Sequence, residues 1–282
     1  MTGTGWTNLA PEDDWPRFSL RTDRPHPARV YDYLLGGKDN YAADRAAGDE
    51  ALRVNPDGRT PVRQNRSFLR RVVRYLAAEA GVRQFLDIGT GLPTSPNVHE
   101  VAQAAVPEAR VVYADNDPTV LAHARALLTS GPEGKTDYVH ADLRDPDSIL
   151  AAPRLLETID LRRPVALLLI AILHFIPDED GPYDIVARLL DALPAGSYLA
   201  LSHLTGDFYP GMLDGVVQAY ARNGMVMRVR SRPEVERFFT GLDLVAPGVE
   251  SLPRWRPDTG AGQQPPPADA RVSCYAALAR KP

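Results

Sequence analysis

Short apolar runs and amphipathic stretches alternate along most of this chain. From residue 84 onward, the segments 84–88, 110–114, 137–141, 165–170 and 198–202 have the length and composition of buried strands. Between them, apolar residues recur at helical spacing: Val98, Val101, Ala102 and Ala105; then, after Pro118, Val120, Leu121, Ala124, Leu127 and Leu128; then Ile185, Val186, Leu189, Leu190 and Leu193. Strands apolar throughout, alternating with helices, predict a doubly wound, mostly parallel α/β sheet covered on both faces. Beyond residue 202 the pattern predicts a helix over 212–221 and a strand over 225–229. Ser231-Arg232-Pro233-Glu234 is a capping box opening a helix through Phe238 and Phe239. Apolar runs at 242–245 and 272–279 predict a closing antiparallel hairpin. The intervening 257–269, with Gly260, Gly262 and three prolines at 265–267, predicts an exposed loop.

Residues 1–80 differ in character and are read as an N-terminal extension and helical cap, leaving 81–282 as the sheet domain. An amphipathic helix is predicted over 65–80, carrying Phe68, Leu69, Val72, Val73 and Leu76. Ahead of it, Leu34-Leu35-Gly36-Gly37-Lys38-Asp39-Asn40-Tyr41 interrupts a helical pattern. Two readings are open. The glycines can end a helix while Tyr31, Tyr33 and Tyr41 pack against the domain, or the segment can form a lid that sets Tyr33, Gly37, Lys38 and Asn40 over a ligand. Arg63 and Arg66 can pair bidentately with a ligand carboxylate or stand as solvated helix arginines.

Composition narrows the function. With 282 residues at 44% hydrophobic content, a large core is available. The formal charge of −4 and the interspersed arginines disfavour nucleic acid as partner. One cysteine, Cys274, excludes an internal disulfide and reads as a buried small hydrophobe. The six histidines lack metal-ligand spacing, so no metal is expected. No apolar run spans a bilayer and the start lacks a signal-peptide pattern, so a soluble cytoplasmic protein without a membrane partner is expected. Oligomeric state is not encoded legibly.

The chemistry concentrates where strands end, which is where open α/β sheets bind ligands. Phe85-Leu86-Asp87-Ile88-Gly89-Thr90-Gly91 runs a strand into a glycine turn that lets backbone approach a ligand. A G-x-G alone is a weak signal. Asp87 beside it suits a positively charged cofactor, and so favours S-adenosylmethionine over a dinucleotide. An NAD-dependent oxidoreductase is the less favoured reading, because the third position after Gly91 is Thr94 and not glycine. Asp115 and Asn116 follow the next strand, where a carboxylate can accept from ribose hydroxyls at about 1.5–3 kcal/mol per charge-assisted bond. Asp117-Pro118 there can simply start a helix. Asp142 and Leu143 follow the third strand, placed for an adenine amine and ring nitrogen, although Asp142 is equally a loop acid. Ala171 and His174 follow the fourth.

Together the segments FLDIGTG, VVYADNDP, YVHADLRD and LLLIAILHFIP resemble the ordered motifs of class I S-adenosylmethionine-dependent methyltransferases. RVYDYLLGGKDNYAADR with NRSFLRR resembles, more narrowly, an actinobacterial family of such enzymes long catalogued as a domain of unknown function. The resemblance extends from Pro25 to the C-terminus. It implies a Rossmann-like seven-stranded sheet whose last two strands form a hairpin. It also implies Gly89 and Gly91 by the methionine moiety, Asp115 on the ribose and Asp142 with Leu143 on adenine, and Thr90 and Asn116 beside them are candidate cofactor-binding residues. Many relatives have a third glycine where this chain has Pro93. Methyl transfer to a small-molecule acceptor is the leading expectation; a cofactor-binding sensor without transferase activity is the alternative. If the acceptor is a hydroxyl, His174 or His203 is the candidate base.

Overall fold

A computed structural model describes residues 20–127, 129–258 and 265–282 of the chain. Residues 1–6, Leu128 and the Gly260 and Gly262 portion of the predicted loop lie outside the described residues, as does the side chain of Leu127. Three helices come first: α1 (Pro27–Leu35), α2 (Ala42–Val54) and α3 (Arg59–Ala78). Then β1 (Gln84–Ile88), α4 (Val98–Ala105), β2 (Arg110–Asp115), α5 (Pro118–Leu127) and β3 (Lys135–His140) alternate. Two short helices, α6 (Pro146–Leu150) and α7 (Pro153–Thr158), lead to β4 (Ala166–Ile170), α8 (Pro182–Asp191) and β5 (Tyr198–Leu204). The chain closes through α9 (Asp214–Arg222), α10 (Arg232–Glu236), β6 (Asp243–Leu244), β7 (Glu250–Ser251), α11 (Asp269–Val272) and β8 (Cys274–Arg280).

The sheet runs β3-β2-β1-β4-β5-β8-β6, parallel as far as β5. After β5, β8 pairs antiparallel, from Tyr198 opposite Arg280 to Leu204 opposite Cys274. The predicted hairpin is there, but its outer strand is broken. Asp243–Leu244 and Glu250–Ser251 pair with opposite ends of β8 and share one edge, so seven expected strands become eight. The sheet's order reverses between β1 and β4, and a ligand crevice opens at such a switch.

Side chains alternate across the sheet, and each face has its own core. Phe85, Val111 and Tyr113 pack under Phe68 and Val72 of α3, Val98 of α4 and Leu121 of α5. Leu86, Ile88 and Val112 face Ile149, Leu155, Ile185 and Val235 on the other side. Burying each such Leu, Ile or Val stabilises by about 1.5–3 kcal/mol. By packing, α3 belongs to the sheet, whereas α1 and α2 join α9 in a smaller third core containing Val30, Leu34, Ala47 and Tyr220.

Local signals set the element ends. Asn97 with Glu100 and Ser231 with Glu234 form capping boxes at α4 and α10. After α10 the chain tightens to a 3₁₀ turn through Phe238 and Phe239. The strand expected over 225–229 is absent. Met225 and Met227 are buried and Val226 exposed, as alternation implies, yet no neighbouring strand offers a ladder; the Met225 N–H donates to the Tyr220 carbonyl at 3.0 Å and that of Arg228 to the His174 carbonyl at 2.7 Å. Period-two burial here marks a covered extended segment. Among the described residues, no helix is long and apolar enough to cross a membrane.

Candidate active site

A cavity of about 340 Å³ opens at the carboxyl ends of β1 to β4. Its floor is the turn after β1. Gly89 and Gly91 both adopt left-handed backbone, with φ of 72° and 68°, which side-chain-bearing residues rarely take. At Gly89 a Cβ would also come within 2.6 Å of Ile172 Cγ1, whereas at Gly91 it would meet Ala28 Cβ at an ordinary 3.9 Å. The Gly89 N–H donates to the Ala114 carbonyl at 2.8 Å, and the Gly91 N–H to Asp115 Oδ2 at 2.9 Å. Asp115 therefore pins the turn from the neighbouring strand, a role its position in the sequence does not announce. Pro93, which replaces a third glycine, is not among the cavity's lining residues.

Three carboxylates line this cavity under different electrostatic conditions. Asp87 is almost fully buried, and burial pushes its pKa up to about 6 against the opposing bond from Thr90 Oγ1 at 3.0 Å. Burial likewise raises Asp115, opposed by the Asp117 and Gly91 N–H groups. Asp142 is more open. Burial alone would raise it, but the Arg144 N–H, the Asn116 amide at 2.8 Å and the Arg144 charge hold it below the ordinary carboxylate range. Next to it, Leu143 lines the cavity, and its N–H has no acceptor among the described residues. Thr90, Asn116 and Ala171 complete the expected set on the walls. Asp117 lies behind, where its Oδ1 accepts from the Thr119 N–H at the start of α5, the helix-start role.

Arg66 reaches the cavity from α3, with one Nη held by the carbonyls of Thr94 at 2.5 Å and Pro96 at 2.7 Å. Among the described residues it pairs with no carboxylate, whereas Arg63 is exposed and lines no cavity described here.

The N-terminal motif works differently from the lid reading. The Tyr33 hydroxyl bonds Asp49 at 2.5 Å, its ring lies under Arg59 and against Gly48 of α2, and neither Tyr33 nor Gly37 lines the cavity. Gly36 ends α1 in left-handed conformation, and the Gly37 N–H donates to the Asp32 carbonyl. A Cβ at Gly37 would run into the Asp32 carboxylate, which Asn40 bonds at 2.8 Å. Helix termination accounts for these residues. What the motif and the four residues before it supply to the cavity is Pro25, His26, Pro27, Ala28 and Tyr31, positioned by a buried rivet. Arg29 Nε lies 3.1 Å from both Asp44 oxygens, its Nη1 lies 3.2 Å from Asp117, and its Nη2 donates to the Arg21 and Arg24 carbonyls. Arg29 and Asp44 were visible in the sequence as an arginine two residues before Tyr31 and an acid of the following helix, with no spacing to link them.

Behind this cavity lies a second, apolar chamber of about 90 Å³. Pro27, Tyr31, Asn65, Ala171 and Phe175 line both and form the wall between them. The wall is tied internally: Ser202 Oγ donates to Asn65 Oδ1 at 2.6 Å, Asn65 Nδ2 donates to Tyr31 Oη, and the Ala171 N–H donates to Ser202 Oγ. Ala171 holds φ of 58°, one of three non-glycine residues in the left-handed region among the described residues.

The two candidate bases sit in different surroundings. His203 is wholly buried; one nitrogen contacts the Leu204 carbonyl at 2.7 Å, the other lies 2.8 Å from Arg230, and burial with the Arg230 charge takes its pKa down to about 3. His174 lines the chamber and not the cavity at the strand ends. Burial, then His203 and Arg230, hold it well below the ordinary histidine range. Among the described residues, no group of His, Cys, Asp or Glu could hold a metal ion.

A Rossmann-like sheet with an acid-ringed cavity at its switch point and a helical cap over it defines a class I methyltransferase architecture. The profile of the S-adenosyl methyltransferase family matches residues 13–282, and the chain belongs to that family. It is therefore an S-adenosylmethionine-dependent methyltransferase. It is similar to a solved DUF574 family protein from Streptomyces avermitilis, at 52% identity and TM-score 0.89, covering 94% of this chain and 100% of that one. A Thermobifida fusca protein provisionally described as a methyltransferase is 41% identical, with TM-score 0.84 over 95% and 99% of the two chains. The Synechocystis magnesium protoporphyrin IX methyltransferase shares the fold at 13% identity, with TM-score 0.52 over 90% and 93%. No curated protein matches the chain.

Proposed function

We propose that this chain methylates a small-molecule acceptor, with S-adenosylmethionine lying across the 340 Å³ cavity. The observation that carries the reading is the set of three acids, Asp87, Asp115 and Asp142, gathered around the glycine turn in one lining with Arg66, which pairs with no carboxylate among the described residues. That charge pattern fits a cofactor bearing a sulfonium, an ammonium and one carboxylate. When bound, it supplies an electrophilic methyl group. Asp115 has unused lone pairs for ribose hydroxyls, and Asp142 with the Leu143 N–H suits adenine. Gly89 and Gly91 let the backbone approach the methionine portion, and Arg66 faces its carboxylate.

The chain's own contribution is alignment and exclusion of water. Positioning contributes ~7–11 kcal/mol in displacement reactions, so a protein base is not obligatory. Of the two histidines, His203 is held by the Leu204 carbonyl and Arg230, whereas His174 lines the smaller chamber with an Nδ1 that has no partner among the described residues. Calorimetry with S-adenosylmethionine, S-adenosylhomocysteine and NAD tests the reading: the first two bind and NAD does not. Binding of NAD alone would sink it. Asp115→Ala loses the ribose acceptor and frees the turn, and is expected to weaken cofactor binding about tenfold or more while the chain stays folded. Unchanged affinity would remove Asp115 from the ribose. Transfer of labelled methyl into a metabolite extract separates turnover from binding alone.

A further inference from the structure

We infer that the 90 Å³ chamber behind the wall is the acceptor site, and that it takes an uncharged small molecule with a compact apolar body and a single hydrogen-bonding atom. This rests on the reading of the larger cavity as the cofactor site. The two spaces share Tyr31, Asn65, Ala171 and Phe175 as a common wall and so adjoin, and direct transfer requires the acceptor's reacting atom to meet the methyl carbon at the edge of that wall.

The chamber's chemistry selects the ligand. Its lining holds no Asp, Glu, Lys or Arg, so neither a carboxylate nor an ammonium group would find a partner there. Leaving such a charge buried and unpaired is prohibitive in an apolar space. The one thiol, Cys274, is kept protonated, since burial pushes its pKa up to about 12. The Asn65 amide and Tyr31 hydroxyl are already bonded to Ser202 and Val62. Tyr220 is one exception. It is buried and stacked beside Phe175, and its hydroxyl has no partner among the described residues. That hydroxyl and the buried Nδ1 of His174, which has no partner among the described residues, are the polar handles offered to a ligand. Size narrows the ligand further: an apolar cavity of 150 Å³ accepts benzene, so this one holds about four carbon atoms. Val62, Met227 and Tyr220 pack there with residues of α1 and α2, so the cap helices help to line the chamber.

The test uses three probes of one shape: 2-methyl-1-propanol, isobutyrate and isobutylammonium. The protein carries ¹³C-methyl methionine, and the Met227 signal, assigned through Met227→Leu, reports the chamber. With and without S-adenosylhomocysteine, the alcohol is expected to shift this signal, with both ions binding about tenfold or more weakly. Val216→Phe fills the chamber from α9, outside the cofactor cavity, and is expected to abolish the shift while S-adenosylhomocysteine still binds. Leu52→Phe fills the same space from α2 should the first variant fail to fold. Tyr220→Phe is expected to weaken the alcohol about three- to tenfold. Equal binding of the ions, an alcohol shift that survives the filling variants, or a Tyr220→Phe variant that binds the alcohol unchanged would each overturn the inference. Failure of S-adenosylhomocysteine to bind would instead overturn the cofactor reading, while the arm without it still decides the chamber.

Discussion

The two cavities on either side of the Tyr31–Ala171 wall are built by opposite means. The larger takes its polar groups from successive strand ends, so Asp87, Asp115 and Asp142 recur in chain order at the close of apolar runs. The smaller takes Leu34, Leu52, Val62, Leu204 and Val216 from five separate elements, and nothing distinguishes these from core residues. A recurring fold repeats the first kind of site. The second is set by whichever cap the chain carries, so it can change its ligand without disturbing the first.

If that division is right, the cap should be separable from the sheet by breaking its rivet. Arg29→Met leaves Asp44 buried without its cation, which costs about 3–5 kcal/mol. Denaturant unfolding should show this loss, and both ligand affinities should fall because Pro27 and Tyr31 wall both spaces. Loss of the alcohol site with intact cofactor affinity would mean that the rivet serves the chamber alone. His203→Leu tests the opposite pole. It removes a hydrogen-bond partner of buried Arg230 and is expected to cost about 1.5–3 kcal/mol of stability without altering cofactor affinity. A large loss of methyl transfer in a variant of unchanged stability would restore His203 as a base.

The same contrast explains what could be read from the sequence. The parallel strands and their acids were legible because buried strands are apolar throughout and end where polarity returns. The broken edge was not: Asp243–Leu244 and Glu250–Ser251 are two residues each, too short for any period to show. Segment 225–229 misled because alternation reports a buried face and is silent on whether a partner strand exists. In the N-terminal motif, aromatic and glycine residues drew attention to Tyr33 and Gly37. The residues that aim the cap are Arg29 and Asp44, whose pairing depends on a helix-to-helix contact that spacing does not encode.

Within the cofactor cavity, the buried Asp87 should leave a pH signature absent from the apolar chamber. Its folded-state pKa of about 6 lies above the unfolded carboxylate value of about 3.9. The raised value means that Asp87 contributes stability below about pH 4 and that this contribution is lost as pH rises through about 6. A cationic ligand favours the ionised form, so binding has the reverse dependence. Affinity for S-adenosylmethionine is expected to fall by up to about tenfold per unit below pH 6 and to level off above it. Calorimetry in buffers of different ionisation heat should detect proton release near pH 6, and Asp87→Asn should abolish it. A pH-independent affinity would place the cationic groups away from Asp87.

The smallest expected effect is also the sharpest test of how the cap works. Tyr33→Phe removes a single bond to Asp49 at the surface, while the ring stays between Arg59 and Gly48. Exposed pairs of this kind contribute about 0–1 kcal/mol, so stability should hardly change. Cofactor affinity should not change at all, because the hydroxyl points to α2 and the residue lines neither cavity. A lid that folded over the ligand through Tyr33 would instead show a several-fold loss of affinity at constant stability. Parallel calorimetry and thermal unfolding of this one variant therefore decide between a closing lid and a cap held in place by Arg29.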